Sequence, residues 1–208
     1  MYAVLSIIME TLIFYVCQGG KRMNVYFASS NRNKRKEVKK ILSSKKINVL
    51  TYNLKDPIKE LQSNDLEEIV IDKVLKAFDK IRRPVIVEHT ALYLKEMKGF
   101  PGGLTQIFWD TLEAKVFCKY CCNMHVTAMT IVAFCDGKII KLFNGKIKGR
   151  IADVPSKNRT FEWDCVFIPN GQKKTFAEMS KKKKNSISMR KKALKQLKEY
   201  LEDNYVTV

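Results

Sequence analysis

Pro84-Val85-Ile86-Val87-Glu88-His89-Thr90-Ala91-Leu92-Tyr93-Leu94 is the stretch on which the reading of the fold turns. Val85 to Val87 is an apolar, β-branched run of the kind that makes a buried strand. The chain then becomes polar at Glu88 and His89. In an open α/β sheet, ligands sit in the crevice beyond the carboxyl ends of the strands. A carboxylate and an imidazole at such a strand end are candidates for metal or phosphate chemistry. Taken alone, the stretch reads equally well as a solvated strand end carrying a surface histidine.

The surrounding chain sets the bounds. Its 208 residues suffice for one domain, or two tightly joined lobes, with a real core. At 46% hydrophobic the composition is globular rather than disordered. The formal net charge of +18, from 39 basic and 21 acidic residues, favours an anionic partner. No zinc-finger, helix-turn-helix or RNA-binding aromatic pattern accompanies that charge. Cys17, Cys118, Cys121, Cys122, Cys135 and Cys165 are scattered, which suits a reducing cytoplasm better than a secreted disulfide framework.

Residues 1–22 form an apolar N-terminal extension interrupted by Glu10 and followed by basic residues. The absence of a basic start argues against a secretory signal, and Glu10 argues against a membrane span. Met23 opens a segment that looks like a fresh start, so the domain proper is expected over 23–208.

Within it, Val25–Ala28 predicts a first strand, and Ser29-Ser30-Asn31-Arg32-Asn33-Lys34 a loop before a helix from about Lys36 to Leu42. Small polar residues at a strand–helix junction offer backbone N–H groups to an anion, and Lys34 adds a point charge. Residues 46–54 predict a second strand and 66–81 a helix, with Asp65, Glu67 and Glu68 around its first turn and Lys73 along it. After the break at Gly99–Gly103, a helix is expected from Leu104. The run Cys118, Cys121, Cys122, His125 could suggest zinc, but without a second pair an apolar helix face is the better reading. Val126–Cys135 and Lys138–Phe143 predict strands joined by the Asp136-Gly137 turn. Asn144-Gly145 predicts a further turn, with Lys146–Ile151 as another strand. Phe161, Trp163 and Asp164 place two aromatics about a carboxylate. The last helix is expected to run from about Ala177 to Tyr200.

In this order the segments resemble the inosine triphosphate pyrophosphatase (Ham1-like) family over nearly all of 23–208. Ser30-Asn31-Arg32-Asn33-Lys34 with Glu37 is similar to the family's opening Thr/Ser-Gly-Asn-x-x-Lys-x-x-Glu loop. Val87-Glu88-His89-Thr90-Ala91-Leu92 is similar to its Glu/Asp-Asp-Ser/Thr-Gly-Leu turn, and Phe100-Pro101-Gly102 to its Pro-Gly turn. Phe161-Glu162-Trp163-Asp164 resembles Phe-Gly-Trp/Tyr-Asp. Thr175-Phe176-Ala177-Glu178-Met179 and Lys184-Asn185-Ser186-Ile187-Ser188-Met189-Arg190 resemble the closing Thr-x-Ala-Glu-Met and Lys-Asn-x-x-Ser-His-Arg signatures. The resemblance implies an α/β fold: an elongated, twisted mixed sheet with flanking helices, forming two lobes around a nucleotide cleft. It also implies a homodimer that hydrolyses dITP, ITP or XTP to the monophosphate and pyrophosphate with Mg²⁺. Carried over, Ser30, Asn31, Lys34 and Lys73 hold the triphosphate. Asp65 and Glu88 serve the metal, and Glu88 and His89 the chemistry. Phe161, Trp163, Asp164, Lys184 and Arg190 take the base.

The departures are as informative as the matches. His89 stands where the family has its central Asp, and a neutral imidazole is a poor ligand for hard Mg²⁺. Met189 stands at the base-reading His, Glu162 and Ala91 at glycines. These losses favour a sensor that binds a purine triphosphate with weakened or lost Mg²⁺ chemistry and signals to an effector protein, as in nucleotide-based antiviral defence. The alternative is an active Mg²⁺-dependent pyrophosphohydrolase with His89 as general base. Nucleic-acid binding ranks third, a cytoplasmic setting is expected, and no membrane association is.

Overall fold

The computed structural model describes residues 22–52, 58–158 and 162–205. Residues 1–21 of the N-terminal extension and Phe161 lie outside them. Among the described residues the architecture is mixed α/β, a seven-stranded sheet with helices on both faces.

The chain opens with β1 (Met23–Ala28), α1 (Arg32–Leu42) and β2 (Ile47–Tyr52). β1 and β2 pair in parallel, with Met23 opposite Ile47 through to Ala28 opposite Tyr52. α2 (Leu66–Ile81) starts where Asp65 caps it, its side chain accepting from the Glu67 N–H. β3 (Val85–Leu94) follows and lies parallel to β1 only at Tyr26–Val85 and Phe27–Ile86. β4 (Pro101–Gly102) pairs antiparallel with Leu92 and Tyr93. α3 (Thr105–Cys121) bends at Glu113, whose φ is 54°. β5 (His125–Cys135) and β6 (Ile140–Ile151) form the long hairpin, turning through Asp136-Gly137. A 3₁₀ turn (Glu162–Cys165), β7 (Phe167–Pro169), a second 3₁₀ turn (Phe176–Glu178), α4 (Lys181–Ile187) and α5 (Met189–Tyr205) complete the order. Across the sheet the strands run β2-β1-β3-β5-β6-β7, with β4 on β3.

Three sequence expectations are corrected. β3 does not end at Val87: β5 pairs with it from Val85 to Leu94, so Glu88 and His89 lie in mid-strand. Asn144-Gly145 is not a turn but part of β6. The glycine is required because a Cβ there would come 2.0 Å from the Met189 carbonyl oxygen of α5. The final helix is two helices, broken at Ser188, whose ψ of 145° is extended.

Side-chain alternation along β3 divides the core. Ile86 faces α1 and α5 in one cluster with Phe27, Val38, Leu42, Phe134, Leu194 and Leu197. Val85, Val87 and Ala91 face α2 in another with Val70, Val74 and Ile131. Leu92 and Leu94 enter a third, at the antiparallel end, with Phe117, Val126, Trp163, Phe167 and Met189. No described helix is long and apolar enough to cross a membrane.

Candidate active site

Between the end of β1 at Ala28 and the start of β4 pairing at Leu92, the β3 edge carries no strand partner among the described residues. The backbone of residues 87–91 therefore leaves a notch along one edge of the strand, near the loop after β1.

That loop is rigidly tied. Asn31 Oδ1 accepts from the N–H groups of Asn33 (2.9 Å) and Lys34 (3.1 Å), capping α1. Arg35 donates to the carbonyls of Ser29 (2.7 Å) and Ser30 (3.0 Å). Ser30 is exposed and Asn31 half-buried. Because the Asn31 oxygen is spent on the cap, its amide NH₂ is the group left to meet an anion.

Glu88 and His89, expected at one corner, turn to opposite faces of β3. Glu88, 3% exposed, faces α1 and α5. Arg190 Nε donates to its Oε2 at 2.7 Å, and Lys34 Nζ lies 2.9 Å from Oε1. The Arg190 guanidinium also donates to Glu37 Oε2 at 2.8 Å. Burial alone would raise the Glu88 carboxyl, but Arg190 and Lys34 outweigh it and hold it far below the usual carboxylate range. The same two carboxylates push the buried guanidinium up against its desolvation.

His89 faces the other way. Its Nδ1 lies 3.2 Å from Glu60 Oε2. Lys73 Nζ donates to Glu60 Oε1 at 2.5 Å and to the Glu88 carbonyl at 3.3 Å, so it ties the Glu60 loop to β3. Burial opposes ionisation of Glu60, yet the bonds and charges from His89 and Lys73 lower its pKa to about 2.

At the far side, Asp164 is buried and paired with Lys184. Burial pushes its carboxyl up, against the pull of Lys184 and then Arg190, and its Oδ1 finds no hydrogen-bond partner among the described residues. Arg190 thus links the Asp164–Lys184 pair electrically to Glu88.

The structure gathers Lys34, Glu88, Arg190 and Glu37 in one ion cluster, and Lys73 and His89 in a second joined to it through the Glu88 backbone. Asp65 is placed differently: it is an exposed helix cap, and no group of three or more His, Cys, Asp or Glu side chains forms a metal-binding set among the described residues. Trp163 does not offer an open ring face. It is 3% exposed and packs edge-on to Phe167. Met189 is buried in the same core, and Glu162 keeps a left-handed φ of 38°, the conformation glycine favours. The cysteine run is divided: Cys118 and Cys121 are buried, Cys122 is exposed and hydrogen-bonded to Asp153, and His125 pairs with Glu96.

Glu60 is the site residue that the sequence reading passed over. It lies in the irregular segment 58–65, where no periodicity marks it, and only the Lys-Glu-Leu-Gln polarity around Lys59–Gln62 distinguishes it. Glu37, noted as a motif residue, acquires its position under Arg190 only in the fold.

Over residues 25–200 the chain matches the Ham1 family. It is 38% identical to a dITP/XTP pyrophosphatase of Saccharolobus solfataricus, with 84% of this chain and 91% of that protein covered. It is 35% identical to inosine triphosphate pyrophosphatase 2 of Trypanosoma cruzi, with 88% and 94% covered. Among solved structures it is similar to the Ham1 protein of Staphylococcus aureus, with a TM-score of 0.68 at 22% identity over 87% of this chain and 99% of that one. A HAM1 protein from Coxiella burnetii gives a TM-score of 0.69 at 21% identity, again over 87% and 99%. Sequence and fold converge, and the chain belongs to the Ham1 family.

Proposed function

We propose that this chain hydrolyses purine nucleoside triphosphates of the dITP and XTP kind to the monophosphate and pyrophosphate. The observation that carries the reading is the Glu60–His89 pair, 3.2 Å apart, with the Lys73 ammonium group on the same Glu60 carboxylate. In its neutral form His89 donates Nδ1–H to Glu60, which leaves Nε2 as a proton acceptor. A water placed there loses its proton to Nε2 as its oxygen attacks the α-phosphorus, and the bond to the bridging oxygen of pyrophosphate breaks. Glu60 stabilises the imidazolium that forms. Lys73, with Lys34 at the loop after β1, supplies positive charge for the phosphoryl oxygens. Asp164, Lys184 and Arg190 form the polar end suited to a purine.

The donor chemistry fits Mg²⁺ at carboxylates and not at imidazole. Glu60, held ionised on the His89 face of β3, is the residue that would hold it; Glu88, on the opposite face, is taken up by Arg190 and Lys34. When bound, the ion supplies charge neutralisation on the phosphates. The names of the relatives support cutting over mere binding, so the hydrolase reading is preferred to the sensor suggested by His89 alone. A homodimer remains part of the proposal through the family resemblance.

The test is incubation with dITP and Mg²⁺ or Mn²⁺, following binding and pyrophosphate release separately. Turnover that is abolished in His89→Ala supports the hydrolase. Tight binding without product, and turnover gained only in His89→Asp, overturns it in favour of a sensor.

A further inference from the structure

The charge of this protein is not evenly spread. α2, on one face of the sheet, carries Lys73, Lys76 and Lys80 against Glu67, Glu68, Asp72 and Asp79. On the opposite face, α1 carries six basic residues and one acidic residue, Glu37, which is taken up by Arg190. α5 lies beside α1 over the shared core. Its basic residues fill the first part of the helix, and its acidic residues Glu199, Glu202 and Asp203 stand at the other end.

Helical spacing sorts these charges. Val38 and Leu42 of α1, and Ala193, Leu194 and Leu197 of α5, face the sheet. Lys36, Lys39 and Lys40 are therefore exposed on one helix, and Lys191 and Lys195 on its neighbour. Among the described residues, Lys36, Lys39, Lys40 and Lys191 have no carboxylate within ion-pair distance. Lys195 has only Glu199, at 3.5 Å. Like charges at i, i+4 repel and weaken a helix. The exposed large apolar residues of the described chain lie elsewhere, so neither helix has an apolar strip with which to enter a membrane. No exposed aromatic stands on either helix to stack on an unpaired base.

We propose that the outer face of α1 and α5 binds the phosphate backbone of duplex nucleic acid, without reading sequence. The face lies outside the catalytic notch, so the inference stands or falls independently of the hydrolase reading. Two adjacent rows of exposed lysines, all but Lys195 without a carboxylate partner among the described residues, offer phosphate contacts and nothing that discriminates bases.

The experiment is fluorescence anisotropy with a labelled 20-base-pair duplex over a salt series, for the full chain. Wild type is expected to lose affinity at least about 100-fold between 50 and 200 mM salt. Replacing Lys36, Lys39, Lys40, Lys191 and Lys195 by Gln is expected to flatten the log–log salt slope by about four. A control variant with Gln at Lys80, Lys95, Lys115, Lys119 and Lys138 removes the same charge elsewhere and is expected to keep most of the slope. Circular dichroism checks that both variants fold. Equal loss in both variants overturns the proposal in favour of net charge alone. Absence of duplex binding, tighter binding to a single strand of the same length, or preference for anionic vesicles or polyglutamate overturns it as well.

Discussion

Arg190 of α5 donates through Nε to Glu88 Oε2 of β3 at 2.7 Å, joining residues 102 apart in the chain inside the core of the site. Both side chains are 2% exposed, so each charge depends on the other for solvation. Removing one partner of a buried pair typically costs about 3–5 kcal/mol, because the remaining charge is stranded. Glu88→Gln is therefore expected to lower the melting temperature by roughly 6–20 °C for a chain of this size. Urea and thermal melts read this directly. A Glu88→Gln protein as stable as wild type would show that Glu37 alone compensates Arg190.

His89 and Glu60 act as a unit in the proposed chemistry. His89→Ala is expected to lower kcat by about 10²–10⁴-fold with little change in KM, the usual loss for a positioned general base. Glu60→Gln keeps the shape but removes the carboxylate charge behind the imidazole, and is expected to lower kcat less. Steady-state pyrophosphate release checks both. Equal kcat in wild type and His89→Ala removes His89 from the mechanism.

Gly145 tests the contact between β6 and α5. A Cβ at Gly145 would meet the Met189 carbonyl at 2.0 Å, and backbone cannot swing aside as a side chain can. Gly145→Ala is expected to destabilise by about 1–3 kcal/mol. It also displaces Met189 next to Arg190, so KM for dITP is expected to rise. A variant with unchanged stability and KM contradicts the close approach.

Asp136 offers a pH signature away from the site. Its carboxylate accepts from the N–H groups of Lys138 (2.9 Å) and Ile139 (3.0 Å), and from the Tyr205 hydroxyl (2.7 Å). Burial would raise its pKa, but these bonds lower it below the ordinary 3.8. A depressed carboxylate contributes stability above its unfolded value, and that contribution is lost as pH falls through the folded one. Asp136→Asn is expected to be less stable at pH 7 and to show a shallower fall in stability below about pH 4. Urea midpoints from pH 7 to pH 2 measure it, and parallel curves for the two proteins would refute the assignment.

Glu162 holds a left-handed φ of 38°, an uncommon conformation for a residue with a Cβ. Glu162→Gly relieves that conformation while loosening the unfolded chain, so the net change is expected to lie within about 1 kcal/mol of zero. Glu162→Val is expected to be clearly worse, since a branched Cβ tolerates this region least. Comparing the two by thermal melt separates backbone conformation from side-chain loss.

Much of this architecture is legible in the residues. The α2 boundaries follow from Asp65 as cap and the apolar spacing of Leu66, Ile69, Val70 and Val74. The β5–β6 turn follows from Asp136-Gly137, where Gly137 has a φ of 95°. Lys34, Lys73, Lys184 and Arg190 were all identifiable as candidate ligands for an anion. Asn144-Gly145 misled because a glycine required by a neighbouring helix looks, in sequence, like one required by a turn. A ring that fills a core and a ring that stacks on a base have the same local signature, so the packing of Trp163 against Phe167 is visible only in the fold. Glu60 carries no local pattern at all.

The sequence by itself determined most of the strands and helices and the apolar faces they bury, because those depend on periodicity and short-range chemistry, and its motifs carried the family resemblance. Only the tertiary structure decided that Glu88 and His89 part to opposite faces of β3. It alone decided that Arg190 is shared between Glu88 and Glu37, and that His89 is backed by Glu60. Strand alternation and the paths of distant helices set those meetings, and each joins side chains from segments whose spacing along the chain says nothing of their separation in space.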